Sequence, residues 1–272
     1  MFWYTKTMNP TITSSSNETV KLLRRLASSA KARRDEGAYI AEGANLVRSL
    51  LDADATPLMF VISESAYNNV EVAALIYDLT SKNTKQVVLI DSLFESVTTI
   101  HAAVGIVAVC ALPTSDSISQ LQTDAVLLED VQDPGNLGTI LRTASAAGIQ
   151  TVVLSSQCAS PWSPKALRAG MGAQFGLTIY ENEEISRLVE SATIPVYITT
   201  LSEKSVSLYD VDLHAQCAWI FGNEGQGVSE QLMNLANATH VSIPQVSSAV
   251  ESLNVSAATA VCLYEQYRQR GL

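Results

Sequence analysis

The stretch 125-AVLLEDVQDPGNLGTILRTASAAG-148 decides the fold. It opens with an apolar run of strand length (125–129), continues with a Pro-Gly turn, and ends in a helical pattern over about 136–147. Asn136 is a good N-cap for that helix, and Arg142 is its single basic residue. The stretch therefore predicts a strand, a loop and a helix in succession. Taken alone, it fits an ordinary joint with a surface arginine as well as it fits a functional site.

The residues that follow repeat this alternation. Runs typical of strands lie at 151–155, 195–200, 218–222 and 240–243, and helical patterns lie at about 164–171, 183–191, 228–236 and 253–269. Strands that alternate with helices are typical of a parallel sheet with helices on both faces. We therefore predict one α/β domain over residues 125–272.

The first half of the chain predicts a small α/β domain over residues 18–112. Its first helix begins near Thr19, with Asn17 as a possible N-cap. Runs of strand length lie at 39–43, 58–63, 87–91 and 105–112, with helical stretches between them. A polar, Ser/Thr-rich leader (1–17) precedes this domain, and a polar linker that starts with a proline (113–124) follows it.

Composition excludes several classes of protein. With 47% apolar residues in a chain of 272, the protein is globular rather than disordered. Its longest uncharged apolar run, 102–112, is far shorter than the roughly 20 residues that span a bilayer. The first residues, MFWYTKTMNP, lack the basic start and apolar core of a secretory signal. We expect a cytoplasmic protein with no membrane partner.

The cysteines and histidines predict neither a disulfide scaffold nor a metal site. Cys110, Cys158, Cys217 and Cys262 are too widely spaced for paired metal ligands. The three histidines are far apart in sequence, and only His214 lies close to a cysteine, Cys217. We expect reduced, structural thiols and no metal.

The net charge of −10 opposes binding to nucleic acid, because phosphate binding depends largely on lysine and arginine. The distribution of charge weakens that objection. Residues 19–48 hold seven basic against three acidic residues, clustered as KLLRR and KARR. This basic cluster fits either the solvated face of a helix or a local contact surface for RNA.

Two further loops carry unusual residues at the carboxyl ends of predicted strands, where parallel sheets bind their ligands. GNEGQGVSEQ (222–231) holds Glu224 among three glycines, and IPQVSSAVESLN (243–254) leads into the last helix with Asn254 at its start. Neither the P-loop pattern nor the dinucleotide-binding fingerprint is present. Each loop, taken alone, also fits a tight turn or a capped helix.

In their order and spacing, four segments resemble the SpoU/TrmH family of RNA ribose 2′-O-methyltransferases. They are NLGTILRTASAAG (136–148), SPKALRAGMGAQF (163–175), IFGNEGQGVS (220–229) and IPQVSSAVESLNVSAATAVCLYE (243–265). The resemblance covers residues 125 to 270 densely. KARRDEGAYIAEG (31–43) is similar to the start of the small RNA-binding domain that many members carry in front. One segment departs from the family: the loop 245–251, QVSSAVE, has no glycine and one extra residue.

The resemblance implies a fold, a methyl donor and an assembly. Members form a parallel α/β sheet whose C-terminal segment threads through a loop as a deep trefoil knot, the SPOUT fold, and their site forms at a homodimer interface. S-adenosylmethionine binds among the knot loops, largely through backbone groups, and no metal is required. The positions that match its binding site are Leu201, Gly222, Ile243 and Leu253.

The resemblance also implies the chemistry. A methyl group moves from S-adenosylmethionine to a ribose 2′-hydroxyl of a structured RNA, with ribosomal RNA favoured over transfer RNA. Arg142 matches the arginine at that hydroxyl, where it either binds phosphate and stabilises the developing alkoxide or loses its proton in a perturbed site. The other positions matched to the reaction are Asn136, Glu224, Ser252 and Asn254. The basic candidates for phosphate contact are Arg24, Arg25, Lys31, Arg33, Arg34, Lys165 and Arg168.

Two rival hypotheses stand beside this one. A non-catalytic RNA-binding relative would keep the fold but fail to bind S-adenosylmethionine because its loop 245–251 is altered. An unrelated nucleotide-binding protein would bind ATP or NAD, and the absence of both nucleotide fingerprints makes it the weaker alternative. Titration with S-adenosylmethionine separates the enzyme from the first rival.

Overall fold

The computed structural model describes residues 10–99, 105–114, 117–202, 204–246 and 252–271. The chain divides into two compact units. The first comprises the chain up to Pro113 together with Trp162–Arg168, and the second comprises Thr114–Pro161 and the chain from Ala169 onward. Parts of the predicted leader (1–9), linker (115–116) and altered loop (247–251), and also His101, lie outside the described residues.

Up to Pro113, the described residues of the first unit form a four-stranded mixed sheet and five α-helices. Its helices are α1 (Glu18–Ser28), α2 (Ala30–Glu36), α3 (Ala44–Asp52), α4 (Val70–Ser81) and α5 (Asp91–Val97). Its strands are β1 (Ala38–Glu42), β2 (Met59–Ser63), β3 (Lys85–Leu89) and β4 (Ile106–Ala111). The strand order is β1-β4-β2-β3, with β4 antiparallel to both neighbours and β2 parallel to β3.

Helix α1 shows how local sequence forms this unit. The side chain of Asn17 accepts a hydrogen bond from the backbone N–H of Thr19 at 2.9 Å, so the predicted N-cap is confirmed. Val20, Leu23 and Leu26 form a buried stripe at helical spacing. This stripe packs into the same apolar core as α5 and the alternate residues of the strands.

The second unit contains a seven-stranded sheet. Its strands are β5 (Ala125–Leu128), β6 (Thr151–Leu154), β7 (Thr178–Tyr180), β8 (Val196–Thr199), β9 (Val206–Ser207), β10 (Ala218–Phe221) and β11 (Ala238–Ser242). The helices that follow β5 are α6 (Pro134–Ala146), α7 (Pro164–Gly170), α8 (Ile185–Glu190), α9 (Glu230–Met233) and α10 (Val255–Arg270). Helix α7 belongs mostly to the first unit, since Trp162–Arg168 clusters there.

The seven strands lie in the order β7-β6-β5-β10-β8-β11-β9, and every pair between them is parallel. The predicted parallel sheet is therefore confirmed. Helices α8 and α9 pack on one face, against residues such as Leu127 and Ile220. Trp219 points to the opposite face, where it bonds to Gln266 of α10. Helices thus cover both faces of the sheet.

The parallel arrangement decides where a site can form. Because all strands run the same way, the loops after β5, β8, β10 and β11 leave the sheet at one edge. Within the described ranges, no helix combines the length and the apolar character that crossing a membrane requires.

Candidate active site

The loop after β5 ends in a different cap from the one predicted. Helix α6 begins at Pro134, and the side chain of Asp133 accepts hydrogen bonds from the backbone N–H groups of Gly135 (2.7 Å) and Asn136 (2.9 Å). The prediction that Asn136 is the N-cap is therefore wrong. An Asp followed by Pro at the first helical position is the signal that identifies the true cap. The side chain of Asn136 is consequently available for other contacts.

Asn136 joins two residues that the sequence places far away. Its Nδ2 donates to Glu224 Oε1 at 3.1 Å, and its Oδ1 accepts from Asn254 Nδ2 at 3.1 Å. Asn254 also caps α10, because its Oδ1 accepts from the backbone N–H groups of Ser256 and Ala257. We call Asn136, Glu224 and Asn254 the polar triad. The triad brings the loops after β5, β10 and β11 to one place.

The carboxylate of Glu224 holds two of these loops together. Besides Asn136, it accepts hydrogen bonds from the backbone N–H groups of Gln132 (3.2 Å) and Asp133 (3.1 Å). Partial burial raises the pKa of Glu224, but these donors outweigh that effect, and the net pKa lies below the ordinary value. The side chain is therefore ionised at neutral pH and works as an acceptor.

Asn223 organises the glycine-rich loop, and the sequence analysis missed it. Its Oδ1 accepts from the backbone N–H groups of Gly225 (2.9 Å) and Gln226 (3.1 Å), and its Nδ2 donates to the carbonyl oxygen of Asp130 at 2.8 Å. The loop closes so tightly that a β-carbon added at Gly222 would lie 2.2 Å from the carbonyl carbon of Gly227. Only glycine fits at position 222 without movement of the backbone.

A cavity of about 430 Å³ lies beside the polar triad. The four positions matched to the donor site all line it: Leu201, Gly222, Ile243 and Leu253. Glu224 and Ser252 line it as well. Its volume falls within the roughly 300–1,000 Å³ of small-molecule sites. Further lining residues that the sequence analysis did not single out are Thr199, Thr200, Met233, Gln245, Val255 and Ala258. The wall is mixed, with apolar side chains beside hydroxyl, amide, carboxylate and backbone polar groups.

Arg142 lies on the exposed side of α6. Across the part of the chain that the structure describes, its guanidinium has neither a hydrogen bond nor an ion pair. A surface arginine without an intramolecular partner keeps its five N–H donors for an external anion.

The basic residues predicted to contact phosphate differ in how accessible they are. Arg33 is 5% exposed, and its guanidinium donates to the carbonyl oxygen of Leu26 at 2.8 Å. The prediction of a phosphate contact for Arg33 is wrong, because α2 packs this side chain inside the first unit. Lys31, Arg34 and Lys165 are exposed.

Arg24, Arg25 and Arg168 already have partners. Arg24 donates to Ser96 Oγ at 2.9 Å, and Arg25 pairs with Glu36 at 2.5 Å. Arg168 donates to Thr99 Oγ1 at 2.5 Å and lies 3.4 Å from the buried carboxylate of Glu42. The side chain of Arg168 therefore anchors α7 within the first unit.

The four cysteines are free thiols. Burial raises the pKa of Cys110, Cys217 and Cys262 to about 12, and burial also raises the pKa of Cys158. No cluster of three or more His, Cys, Asp or Glu residues suited to a metal ion occurs within the described ranges. The cysteines are thus structural rather than nucleophilic.

Comparison with known proteins adds independent findings. The model of the SpoU rRNA methylase family matches residues 124–264, and that of the MRM3-like substrate binding domain matches residues 17–108. The chain belongs to the SpoU rRNA methylase family. As a member, it is an S-adenosylmethionine-dependent RNA methyltransferase.

Three relatives of this family member are informative. An uncharacterized tRNA/rRNA methyltransferase of Synechocystis is 41% identical over 148 residues, and the match covers 53% of each chain, or about half of that relative. The 23S rRNA (guanosine(2553)-2′-O)-methyltransferase RlmP of Bacillus subtilis is 29% identical over 93% of this chain and 97% of its own. The AdoMet-bound rRNA methyltransferase structure from Sinorhizobium meliloti superposes with a TM-score of 0.81 at 29% identity, covering 95% and 97%.

Proposed function

We propose that this chain transfers the methyl group of S-adenosylmethionine to a ribose 2′-hydroxyl of ribosomal RNA. One observation carries the proposal: the polar triad, built from three separate loops, lies beside the cavity that the four donor-site positions line. The relative RlmP, which is named as a 23S rRNA 2′-O-methyltransferase, supports the choice of RNA and of the acceptor atom.

The cavity fits the donor in size and in chemistry. Apolar side chains such as Ile243 and Val255 suit the faces of an adenine ring, and the tight turn at Gly222 presents backbone groups to its edge. Thr199, Thr200 and Ser252 offer hydroxyl groups to a ribose or an amino-acid tail. When bound, the donor supplies an electrophilic methyl group on a sulfonium. Leu201, Gly222, Ile243 and Leu253 are the residues that we propose hold it.

Arg142 supplies the charge that the acceptor needs. Removing a proton from a ribose hydroxyl leaves negative charge on oxygen, and preorganised donors stabilise such charge strongly. A guanidinium is a poor base, since its reference pKa is about 12.5–13.8. We therefore assign to Arg142 the stabilisation of the developing alkoxide and the binding of an adjacent phosphate. Its lack of an intramolecular partner among the described residues supports this role.

The other candidate residues position the two reacting groups. Glu224 holds the loops after β5 and β10 together, and Asn136 and Asn254 link both to the start of α10. Ser252, which lines the cavity two residues before Asn254, would face the donor. These four residues would align the methyl group with the 2′-oxygen, because in-line displacement depends on the geometry of the two reacting ends.

Three further features are part of the proposal. A deep trefoil knot would thread the chain after β11 through the loop after β10, and both segments line the same cavity. A homodimer would cover exposed apolar side chains of the second unit, including Leu201, Tyr264 and Tyr267. Exposed Lys31, Arg34 and Lys165 would contact RNA phosphate. We also propose the cytoplasm, the location predicted from the sequence, as the place where the enzyme meets ribosomal RNA.

A genetic experiment tests the proposal. Sites of 2′-O-methylation are mapped in ribosomal and transfer RNA from a deletion strain, its parent, and the deletion strain that expresses Arg142→Ala. We expect one ribosomal 2′-O-methyl site to disappear in the deletion strain and to return with the wild-type gene but not with the variant. Identical maps in parent and deletion strain would contradict the proposal.

A further inference from the structure

A cluster of polar side chains ties the end of α10 to the amino-terminal edge of the sheet. It consists of Asp124, directly before β5, and of Gln266, Gln269 and Arg270 in the last turns of α10. We call these four residues the C-terminal clasp. All lie in the second unit, and none of them was matched to a catalytic or donor-binding role.

Gln266 is the buried member of the clasp, with 3% exposure. Its Oε1 accepts from Trp219 Nε1 at 2.7 Å, and its Nε2 donates to Asp124 Oδ1 at 3.1 Å. A buried amide destabilises a fold unless both of its ends find partners. Both ends of the Gln266 amide have partners here. One partner lies in β10 and the other directly precedes β5, so the side chain specifies how α10 packs on the sheet.

Asp124 and Arg270 form a two-point ion pair. Arg270 Nη1 donates to Asp124 Oδ2 at 2.6 Å, and Nη2 donates to Oδ1 at 3.0 Å. Only 16% of the Arg270 side chain and 20% of the Asp124 side chain are exposed. Asp124 also accepts from the backbone N–H of Cys217 at 2.9 Å. Bidentate pairs of this kind fix direction as well as distance.

The clasp also holds the loop before β10. Arg270 Nε donates to the carbonyl oxygen of Leu213 at 2.9 Å, and its Nη2 donates to that of Ala215. Gln269 accepts from the backbone N–H of Leu213 at 2.9 Å and donates to the carbonyl oxygen of Val211 at 3.0 Å. The last turn of α10 therefore has partners on both sides of Leu213.

The elements that the clasp joins are the same elements that line the cavity at their other ends. Strand β10 reaches the cavity at Phe221, two residues after Trp219. Helix α10 reaches it at Val255 and Ala258, and Gln266 lies eleven residues after Val255, or about 16 Å along the helix axis at about 1.5 Å per residue. Because α10 is a continuous helix, fixing its C-terminal end against the sheet also fixes the position of its N-terminal end at the cavity.

We propose that the C-terminal clasp is a positioning device for the methyl donor: it fixes α10 against β10 and so sets the distance between two walls of the donor cavity. The proposal rests on the assignment of that cavity to S-adenosylmethionine. Its residues touch neither donor nor RNA, and they act on the affinity for the donor rather than on the transfer step.

Two arginines in the same turn of α10 provide a matched pair of variants. Arg270→Met removes the two-point ion pair to Asp124 and the two bonds to the loop before β10, whereas Arg268→Met removes a more exposed two-point ion pair, to Glu265 within the helix. Isothermal titration of the full chain with S-adenosylmethionine returns the Kd and the stoichiometry separately. We expect Kd to rise at least fivefold in Arg270→Met and less than twofold in Arg268→Met, with unchanged stoichiometry in both. A merely destabilised protein would lose stoichiometry instead of affinity.

Steady-state kinetics and milder variants complete the test. Arg270→Met should raise KM for S-adenosylmethionine with kcat at saturating donor retained, and Arg270→Lys should restore part of the affinity. If Arg270→Met does not fold, Gln269→Ala decides, with a threefold rise in Kd expected. An unchanged Kd in a folded clasp variant, or a lower kcat with unchanged KM, overturns the proposal. A wild-type chain that binds no donor would instead overturn the assignment of the cavity.

Discussion

Two cavities open at the same edge of the seven-stranded sheet, and they differ in chemistry. The first is the cavity that we propose for the methyl donor, which we call the donor cavity; it lies after β8, β10 and β11, and apolar side chains, hydroxyl groups and a glycine-rich turn line it. The second, of about 310 Å³, lies after β5, β6 and β7, and four carboxylates line it: Glu129, Asp130, Glu183 and Glu184. We call it the acidic cavity.

The difference shows that topology selects an edge and that loop composition selects the site. Parallel strands place both cavities where ligands bind in such sheets. The acidic cavity would repel RNA phosphate. All four of its carboxylates already serve as acceptors: Glu129 and Glu183 accept from the backbone N–H groups of Ser229 and Ile118, and Asp130 and Glu184 accept from the hydroxyl groups of Ser155 and Ser186. The donor cavity adjoins the polar triad, since Glu224 belongs to both. Four variants test this contrast.

Arg142→Ala should have the largest effect. Loss of one preorganised donor at a developing oxyanion typically lowers kcat by about 10²–10³, and we expect a fall of that size in single-turnover transfer to ribosomal RNA. The Kd for S-adenosylmethionine should stay within twofold, because Arg142 does not line the donor cavity. Arg187→Ala, an exposed arginine on α8, is the control. Undiminished transfer by Arg142→Ala would contradict the assigned role.

Gly222→Ala should weaken donor binding by about tenfold or more. The new β-carbon would lie 2.2–2.3 Å from backbone atoms of Gly227 and Val228, so the loop must move. Overpacking of this kind costs about 1–3 kcal/mol, and 1.4 kcal/mol corresponds to tenfold in Kd. Gly225→Ala is the matched control in the same loop, since its nearest neighbour would be 3.6 Å away. Equal Kd values for the two variants would disprove the close-packing argument.

Glu224→Gln should reduce transfer by about threefold. The amide keeps one acceptor oxygen but loses the charge that strengthens three hydrogen bonds, and solvent screening limits the loss because the side chain is exposed.

The pH dependence follows from the lowered pKa of Glu224. A carboxyl whose folded pKa is depressed contributes stability above its unfolded pKa and loses it as pH falls through the folded pKa. The free energy of unfolding of the wild type should therefore include a contribution that is complete above the usual Glu range and is lost as pH falls through the folded pKa, whereas Glu224→Gln should lack this contribution. If the free energies of unfolding of the two proteins depended on acid pH in the same way, this contribution of Glu224 would be refuted.

Glu184→Gln, in the acidic cavity, should have the smallest effect. Its carboxylate accepts from Ser186 Oγ at 3.3 Å and faces none of the polar triad. We expect the Kd for the donor and the single-turnover rate to change less than about twofold. A tenfold change in either would remove the distinction between the two cavities.

Much of the second unit could be predicted from its sequence. Apolar runs of strand length marked β5, β6, β8 and β10, because strands buried on both faces are nearly continuous in apolar residues. Strand β11, in which Val241 is the one buried residue, was predicted from the shorter run 240–243. Strands β7 and β9 escaped prediction, since three and two residues are too short for a periodic signal. Helix α2 escaped as well, because its seven residues carry a charged pattern whose buried residue is Arg33.

The candidate site, likewise, could be predicted only in part from the sequence. Resemblance of the motifs singled out Asn136, Glu224 and Asn254, but their mutual hydrogen bonds depend on sheet order, which places β10 beside β5. Local patterns could not show that Arg168 is paired while Arg142 is unpaired among the described residues. That distinction depends on Glu42 and Thr99, which lie far away in sequence.

Nucleoside analysis of the product shows whether the methyl group is transferred to a ribose 2′-oxygen and whether the transfer needs Arg142. Purified chain is incubated with deproteinised ribosomal RNA from a deletion strain and with S-adenosylmethionine whose methyl group is isotopically labelled. The RNA is digested to nucleosides, and mass spectrometry locates the label on base or ribose. We expect one labelled 2′-O-methyl nucleoside, which is absent when Arg142→Ala replaces the wild type. Label on a base, or a labelled ribose of equal yield from Arg142→Ala, would contradict the proposed function.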